Sequence, residues 1–344
     1  MPRLPRLCAI LALVLCAIWT PLPALAADPC PLLRARQDAP DAATRIAAIA
    51  CEEHHAWYRP FIDFEGRLVG SVVREAVSTP LATGQATWLR VVDYWRGSGL
   101  LAGLGQRPGA IDCQRASDLQ PSPGCRAFVV DTPWSAAFVS WVMRRAALPG
   151  FRGSASHVDY ARAAYRDPAG NAYRIADPRA VRPARGDLLC YVRMGREHGF
   201  SGLATLFSQH DGGLGMHCDI VVSAGETGDR TARLIGGNVL DGVTMRLLPL
   251  TAGGHFASLP ARDDAGPICS PELPHACNAN RQDWAALLQL RPQAELAALA
   301  PPPPSPVQAP ASAPRCCVYC VVGSGVPRCP ADPAGTRPPP SDAR

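Results

Sequence analysis

The sequence predicts an α+β fold: helices packed on an antiparallel sheet, preceded by a helical N-terminal zone. Two observations predict it. Apolar residues recur at helical spacing through residues 41–58, 66–77 and 86–95. Further along, the pattern changes to short apolar runs bounded by turn residues, at 188–192, 220–223, 233–235 and 243–248. Between these zones, the stretch Asp131-Thr132-Pro133-Trp134-Ser135 opens another apolar helix. Thr132 is suited to N-cap it and Pro133 to its first turn, which puts Ser135 among unpaired backbone amides at the positive end of the helix dipole.

In chain order, Arg3 and Arg6, an apolar run over 7–19 and the small residues Ala24-Leu25-Ala26 read as a secretory signal occupying residues 1–26. No other stretch is long and apolar enough for a transmembrane segment, so the mature chain is expected to be soluble and periplasmic or secreted. Loss of two arginines takes the net charge from +5 to +3, too mild a balance to argue for nucleic acid as a partner. Two of the fourteen cysteines, Cys8 and Cys16, leave with the signal. The even remainder in an exported chain reads as disulfides: Cys113–Cys125 and Cys269–Cys277 as local pairs, and Cys30–Cys51 as a staple in the N-terminal zone.

Four zones follow the signal. Residues 28–110 are the helical N-terminal zone. Residues 111–255 hold the Ser135 helix and the β-runs, with a glycine-rich stretch at 195–215 that reads as a mobile loop. Residues 256–300 form an extension with a short helix over 283–290. Residues 301–344 read as a proline-rich disordered linker with a small cysteine cluster.

The order Trp134-Ser135-Ala136-Ala137-Phe138-Val139, then Gly186-Asp187-Leu188-Leu189, then His217-Cys218-Asp219-Ile220-Val221, then Gly236-Gly237-Asn238 resembles the papain-like cell-wall hydrolases of the CHAP and NlpC type. The resemblance covers about residues 125–250. Trp57-Tyr58-Arg59-Pro60-Phe61 and Tyr94-Trp95 look like the rest of a family of unknown function in that superfamily, one that carries serine where its relatives have the nucleophilic cysteine. The resemblance implies a papain-like domain over 111–255, with Ser135 matching the nucleophile, His217 the base and Asn238 the group that orients the histidine. It also makes Cys190 and Cys218 sheet neighbours able to form a cross-strand disulfide. Trp134 is implied as a cleft wall. From the residues themselves, His157 falls on a helix after the Ser135 helix and is a candidate substrate contact, and strand alternation sets Cys218 on one face and His217 and Asp219 on the other, which puts Asp219, where relatives often have glycine, near the site. No cofactor is implied.

Each assignment has a plainer alternative. Ser135 as a first-turn residue bonds local backbone. A histidine opening a strand is often structural, and Trp134 is a core aromatic by default. Glu52-Glu53-His54-His55 gathers metal-ligand types, but adjacent helical residues point apart. Cys316, Cys317, Cys320 and Cys329 fit zinc in number, yet disulfides suit an oxidising compartment better. Two functions stay open: a peptidoglycan amide or peptide hydrolase using Ser135 with His217, and a catalytically degenerate module that binds peptidoglycan or another cell-envelope peptide.

Overall fold

The computed structural model describes residues 28–299, apart from positions 72, 78, 194–197, 227, 263–265 and 268, together with 319–320 and 327–328. The expected signal at 1–26 and most of the expected linker lie outside the described residues.

In chain order the elements are α1 (Cys30–Leu33), α2 (Ala42–Ala56), β1 (Phe61–Ile62), β2 (Leu68–Val69), α3 (Thr87–Ser98), α4 (Pro123–Asp131), α5 (Ser135–Arg145), α6 (His157–Arg166), β3 (Tyr173–Ala176), β4 (Leu188–Val192), α7 (Gly199–Gln209), β5 (Met216–Ala224), β6 (Thr231–Val239), β7 (Gly242–Pro249), β8 (Asp283–Leu290) and α8 (Gln293–Leu299). The fold is α+β. Eight strands form one sheet in the order β2-β1-β7-β6-β5-β4-β8-β3, antiparallel except where β1 runs parallel to β7. The chain divides into two units, 1–300 and 301–344. In the second, β9 (Tyr319–Cys320) pairs antiparallel with β10 (Pro327–Arg328).

Strand alternation gives the sheet two different faces. Cys190, Cys218, Ile220, Val222 and Ile235 join Ile46, Trp134, Phe138 and Val142 of the helices in the main core. Leu189, Tyr191, Val221, Leu234, Trp284 and Leu287 make a second, smaller core on the opposite face. The N-terminal strands and β8 belong to the same sheet as the central hairpins, so residues 61–290 share one framework.

Several elements differ from the sequence expectation, each for a physical reason. The described residues of 66–77 form no helix. Gly66 takes φ +78° in the turn between β1 and β2, and a side chain there would collide with Asn278. The stretch at 195–215 is not a loop throughout: α7 occupies 199–209 and buries Leu203 and Phe207, an i,i+4 pair. Asp283–Leu290 is a strand, not a helix. Its Ala/Leu-rich sequence suits either state, and pairing with β4 on one side and β3 on the other decides it. Helix α4 ends at Asp131 with Thr132 as its C-cap, so Thr132 does not N-cap the Ser135 helix; Pro133 lies between the helices, and α5 begins at Ser135 with Trp134 as N-cap.

All four expected disulfides are present: Cys30–Cys51, Cys113–Cys125, Cys190–Cys218 and Cys269–Cys277. Cys190 faces Cys218 directly in the β4–β5 register. Four disulfides place the chain in an oxidising, non-cytoplasmic compartment. Among the described residues, no helix is long and apolar enough to cross a membrane.

Candidate functional site

Ser135 and His157 are each the first residue of a helix, α5 and α6. The two helix starts bring the Ser135 hydroxyl to 2.8 Å from Nε2 of His157. On its other side, Nδ1 of His157 meets the hydroxyl of Tyr160, one turn along α6. Ser135 is 4% exposed and His157 3%. Both line a pocket of about 340 Å³ with Pro133, Ala155, Arg193, Leu214 and Met216. Among the described residues, Arg193 is the only charged side chain in that lining.

A second polar chain begins at His217. Nη2 of Arg193 donates to Nδ1 of His217 at 2.8 Å. The imidazole proton therefore sits on Nε2, which donates to Oδ1 of Asp219 at 2.7 Å. Oδ2 of Asp219 accepts from Nε of Arg246 at 2.9 Å. Nη1 of Arg246 donates onward to the carbonyl of Ala279 and to Oδ1 of Asn280, both at 2.7 Å. Two cationic ends thus converge on one carboxylate, and the tautomer of His217 is fixed by its neighbours.

The electrostatics follow from burial. Desolvation alone would raise the Asp219 carboxyl. The donors His217 and Arg246 overcome it and hold the group well below the usual carboxylate range. Burial lowers His217 despite the opposing pull of Asp219. His157 falls well below an ordinary histidine, first through burial, then through His217 and Arg193. Burial raises the Tyr160 phenol well above its usual value, so it remains a neutral hydroxyl. His157 is accordingly a neutral imidazole between two hydroxyls.

The residues singled out from sequence separate into groups. Ser135 sits at a helix start, as expected. The ring at hydrogen-bond distance from it is His157, expected only as a substrate contact, whereas both nitrogens of His217 are engaged by Arg193 and Asp219. The two rings lie 5.1 Å apart between centroids. Asp219 is buried in its ion pair and offers no surface to a substrate. Trp134 is 0% exposed and stacks on Trp57 and Tyr94, with centroids 5.7 and 5.5 Å away, so it is core and no cleft wall. Asn238 takes φ +56° at an irregularity of the β6–β7 hairpin and makes no hydrogen bond to His217. It lines a different pocket, beside Tyr191, Arg193 and Arg246. Asp187 accepts backbone N–H groups from Ala184 and Leu290, a structural role.

The Glu52–His55 stretch does not converge: Glu53 bonds Arg90 and Tyr94, and His54 bonds the carbonyl of Pro60. Cys320 is the one member of the C-terminal cysteine cluster among the described residues.

Sequence reasoning missed Tyr160, Arg193 and Arg246. Two signals were present: Tyr160 lies at i+3 from His157 on a helix, and Arg246 interrupts an apolar strand where an unpaired charge would be costly.

A family model described as "Uncharacterized protein conserved in bacteria (DUF2272)" matches residues 82–290. The chain belongs to this family. The match spans α3 to β8 and so includes Ser135, His157, His217, Asp219 and Arg246. No curated protein and no solved structure matches the chain.

Proposed function

We propose that this is an exported, periplasmic protein with a papain-like cleft that cleaves an amide bond of a peptidoglycan or other cell-envelope peptide. Ser135 is the nucleophile and His157 its base. The observation that carries the reading is the 2.8 Å approach of the Ser135 hydroxyl to Nε2 of His157 at the wall of a pocket. The motif order along the chain and the disulfide-bonded, non-cytoplasmic setting support it.

In this mechanism Nδ1–H of His157 donates to the Tyr160 oxygen, leaving Nε2 free to take the Ser135 proton. The Ser135 oxygen attacks the amide carbonyl. The developing oxyanion lies toward the amides of the first turn of α5, which have no intrahelical partner. His157 then passes its proton to the departing amine, and water hydrolyses the acyl ester by the reverse relay. A helix N-terminus cannot ionise a serine outright, so the base is required.

The test is labelling and turnover together. A fluorophosphonate probe should modify the wild type at Ser135, and purified muropeptides should be cleaved. Ser135→Ala and His157→Ala should each abolish both, because the two act as a unit. His217→Ala should lower turnover less than His157→Ala does. Full activity in His157→Ala would sink the assignment of the base.

One observation favours a second reading. The buried carboxylate is bonded to His217 and not to His157, whose outer partner is the neutral Tyr160. A protonated His157 would therefore lack an ionic partner. On the second reading the cleft binds cell-envelope peptides without cutting them. Muropeptide binding to a chain that neither labels nor cleaves would establish it.

A further inference from the structure

We propose that Arg193 is the recognition site for a free carboxylate, so that the cleft takes a peptide at its C-terminus, with the carbonyl attacked by Ser135 close to the terminal residue. This rests on the reading of the Ser135 cleft as a peptide site.

Arginines withdrawn from water in this fold are matched either to acids or to several backbone carbonyls, as Arg45 is to Ala39, Pro40 and Ala146 and Arg96 is to Cys113 and Ala116. Arg246 bonds Asp219, Arg233 bonds Asp229, and Arg90 bonds Glu53. Arg193 is half-buried, yet its side-chain partners are both neutral, the His217 imidazole and the Tyr191 hydroxyl. Among the described residues no carboxylate lies within ion-pair distance of it. A guanidinium withdrawn from water and left without an anion is unfavourable unless something supplies one. Its remaining N–H groups form the planar fork that suits a carboxylate.

The surroundings fix where that anion would sit. Arg193 lines both the Ser135 pocket and a second pocket of about 420 Å³ that includes Asn238, Asp241 and Arg246. Asp241 would repel an anion on the second side. Among the described residues the Ser135 side holds no acid, and its other polar lining groups are the Ser135 and Ser156 hydroxyls and neutral His157. A pocket of about 340 Å³ accommodates one or two residues, not a long chain. A carboxylate on Arg193 therefore lies within a residue or so of the carbonyl presented to Ser135.

Occupancy also acts on the proposed base. His157 is held low by burial, by His217 and by Arg193. A carboxylate on Arg193 would cancel that last contribution and make His157 a better proton acceptor when the correct peptide is bound. In the reaction the Ser135 oxygen bonds to the carbonyl carbon and the C–N bond breaks. His157 returns the proton to the amine, and the terminal residue departs with its carboxylate on Arg193.

The test separates recognition from cleavage by using Ser135→Ala full-length protein and two probes. One is a synthetic stem tetrapeptide ending in D-alanine as the free acid, and the other is its C-terminal carboxamide. Calorimetry should show the acid binding roughly tenfold or more tighter than the amide. Adding Arg193→Gln should bring that ratio to about one, and Arg193→Lys should keep part of it. Equal binding of the two probes, failure of both to bind, or a ratio that survives Arg193→Gln would each overturn the inference. A preserved acid preference in a protein that never cleaves peptide would sink the nucleophile reading and leave this one standing.

Discussion

The chain Arg193–His217–Asp219–Arg246 has a fixed direction, and replacing one carboxylate oxygen by an amide nitrogen should break it. In Asp219→Asn the side chain keeps its volume but brings a donor where only acceptors fit. If Oδ1 accepts from His217, the amide nitrogen faces Nε–H of Arg246; if it is flipped, the nitrogen faces the imidazole N–H. His217 cannot escape by changing tautomer, because its Nδ1 already faces a donor, Nη2 of Arg193. The substitution thus loses one or two charge-assisted hydrogen bonds, worth about 1.5–3 kcal/mol each. It also strands the buried Arg246 charge, whose side chain is 3% exposed. Breaking a buried pair from one side costs about 3–5 kcal/mol, and the two estimates agree. Equilibrium urea unfolding followed by tryptophan fluorescence measures it. Asp219→Asn combined with Arg246→Met should be less destabilised than the sum of the single variants by about 2 kcal/mol, because the donor that clashes is gone. A single-variant loss below about 1 kcal/mol, or strict additivity, would refute the reasoning.

Two other outcomes follow from the same structure. Burial lifts the Asp187 carboxyl to about 7, above an unfolded value near 4. The folded state therefore binds more protons between those values, and this contribution is fully present below pH ~4 and lost as pH rises through about 7. The wild-type urea midpoint should fall between pH 5 and pH 8 by more than that of Asp187→Asn, and parallel profiles would count against the shift. Removing the Cys190–Cys218 bridge, which closes a separation of 28 residues, should cost about 3.5 kcal/mol by loop entropy. A Cys190→Ala/Cys218→Ala protein matching wild type in its denaturation midpoint would show that the strand pairing needs no covalent help.

The sequence alone determined features that depend on local pattern. Helices α2 and α3 follow from apolar spacing, and β4 to β7 from short apolar runs between turns. The expected export signal and an even cysteine count pointed to disulfides, and a helix start at Ser135 was legible from the apolar spacing that follows it, although its N-cap is Trp134 and not Thr132. Alternation along β5 correctly set His217 and Asp219 on one face and Cys218 on the other. Tertiary structure decided what local pattern leaves ambiguous. Asp283–Leu290 has a composition that suits helix or strand, and only its place between β3 and β4 makes it a strand. Trp134 beside the nucleophile position is core because Trp57 and Tyr94, from distant segments, cover it. Which histidine meets Ser135 was equally beyond local reading. His157 and Ser135 lie 22 positions apart on successive helices, and only the packing of α5 and α6 brings their first turns together. His217 is committed elsewhere because Arg193, just past the end of β4, and Arg246, on β7 beyond β6, engage the imidazole and its carboxylate. Side-chain partnership across elements depends on distance in space, which residue spacing does not carry.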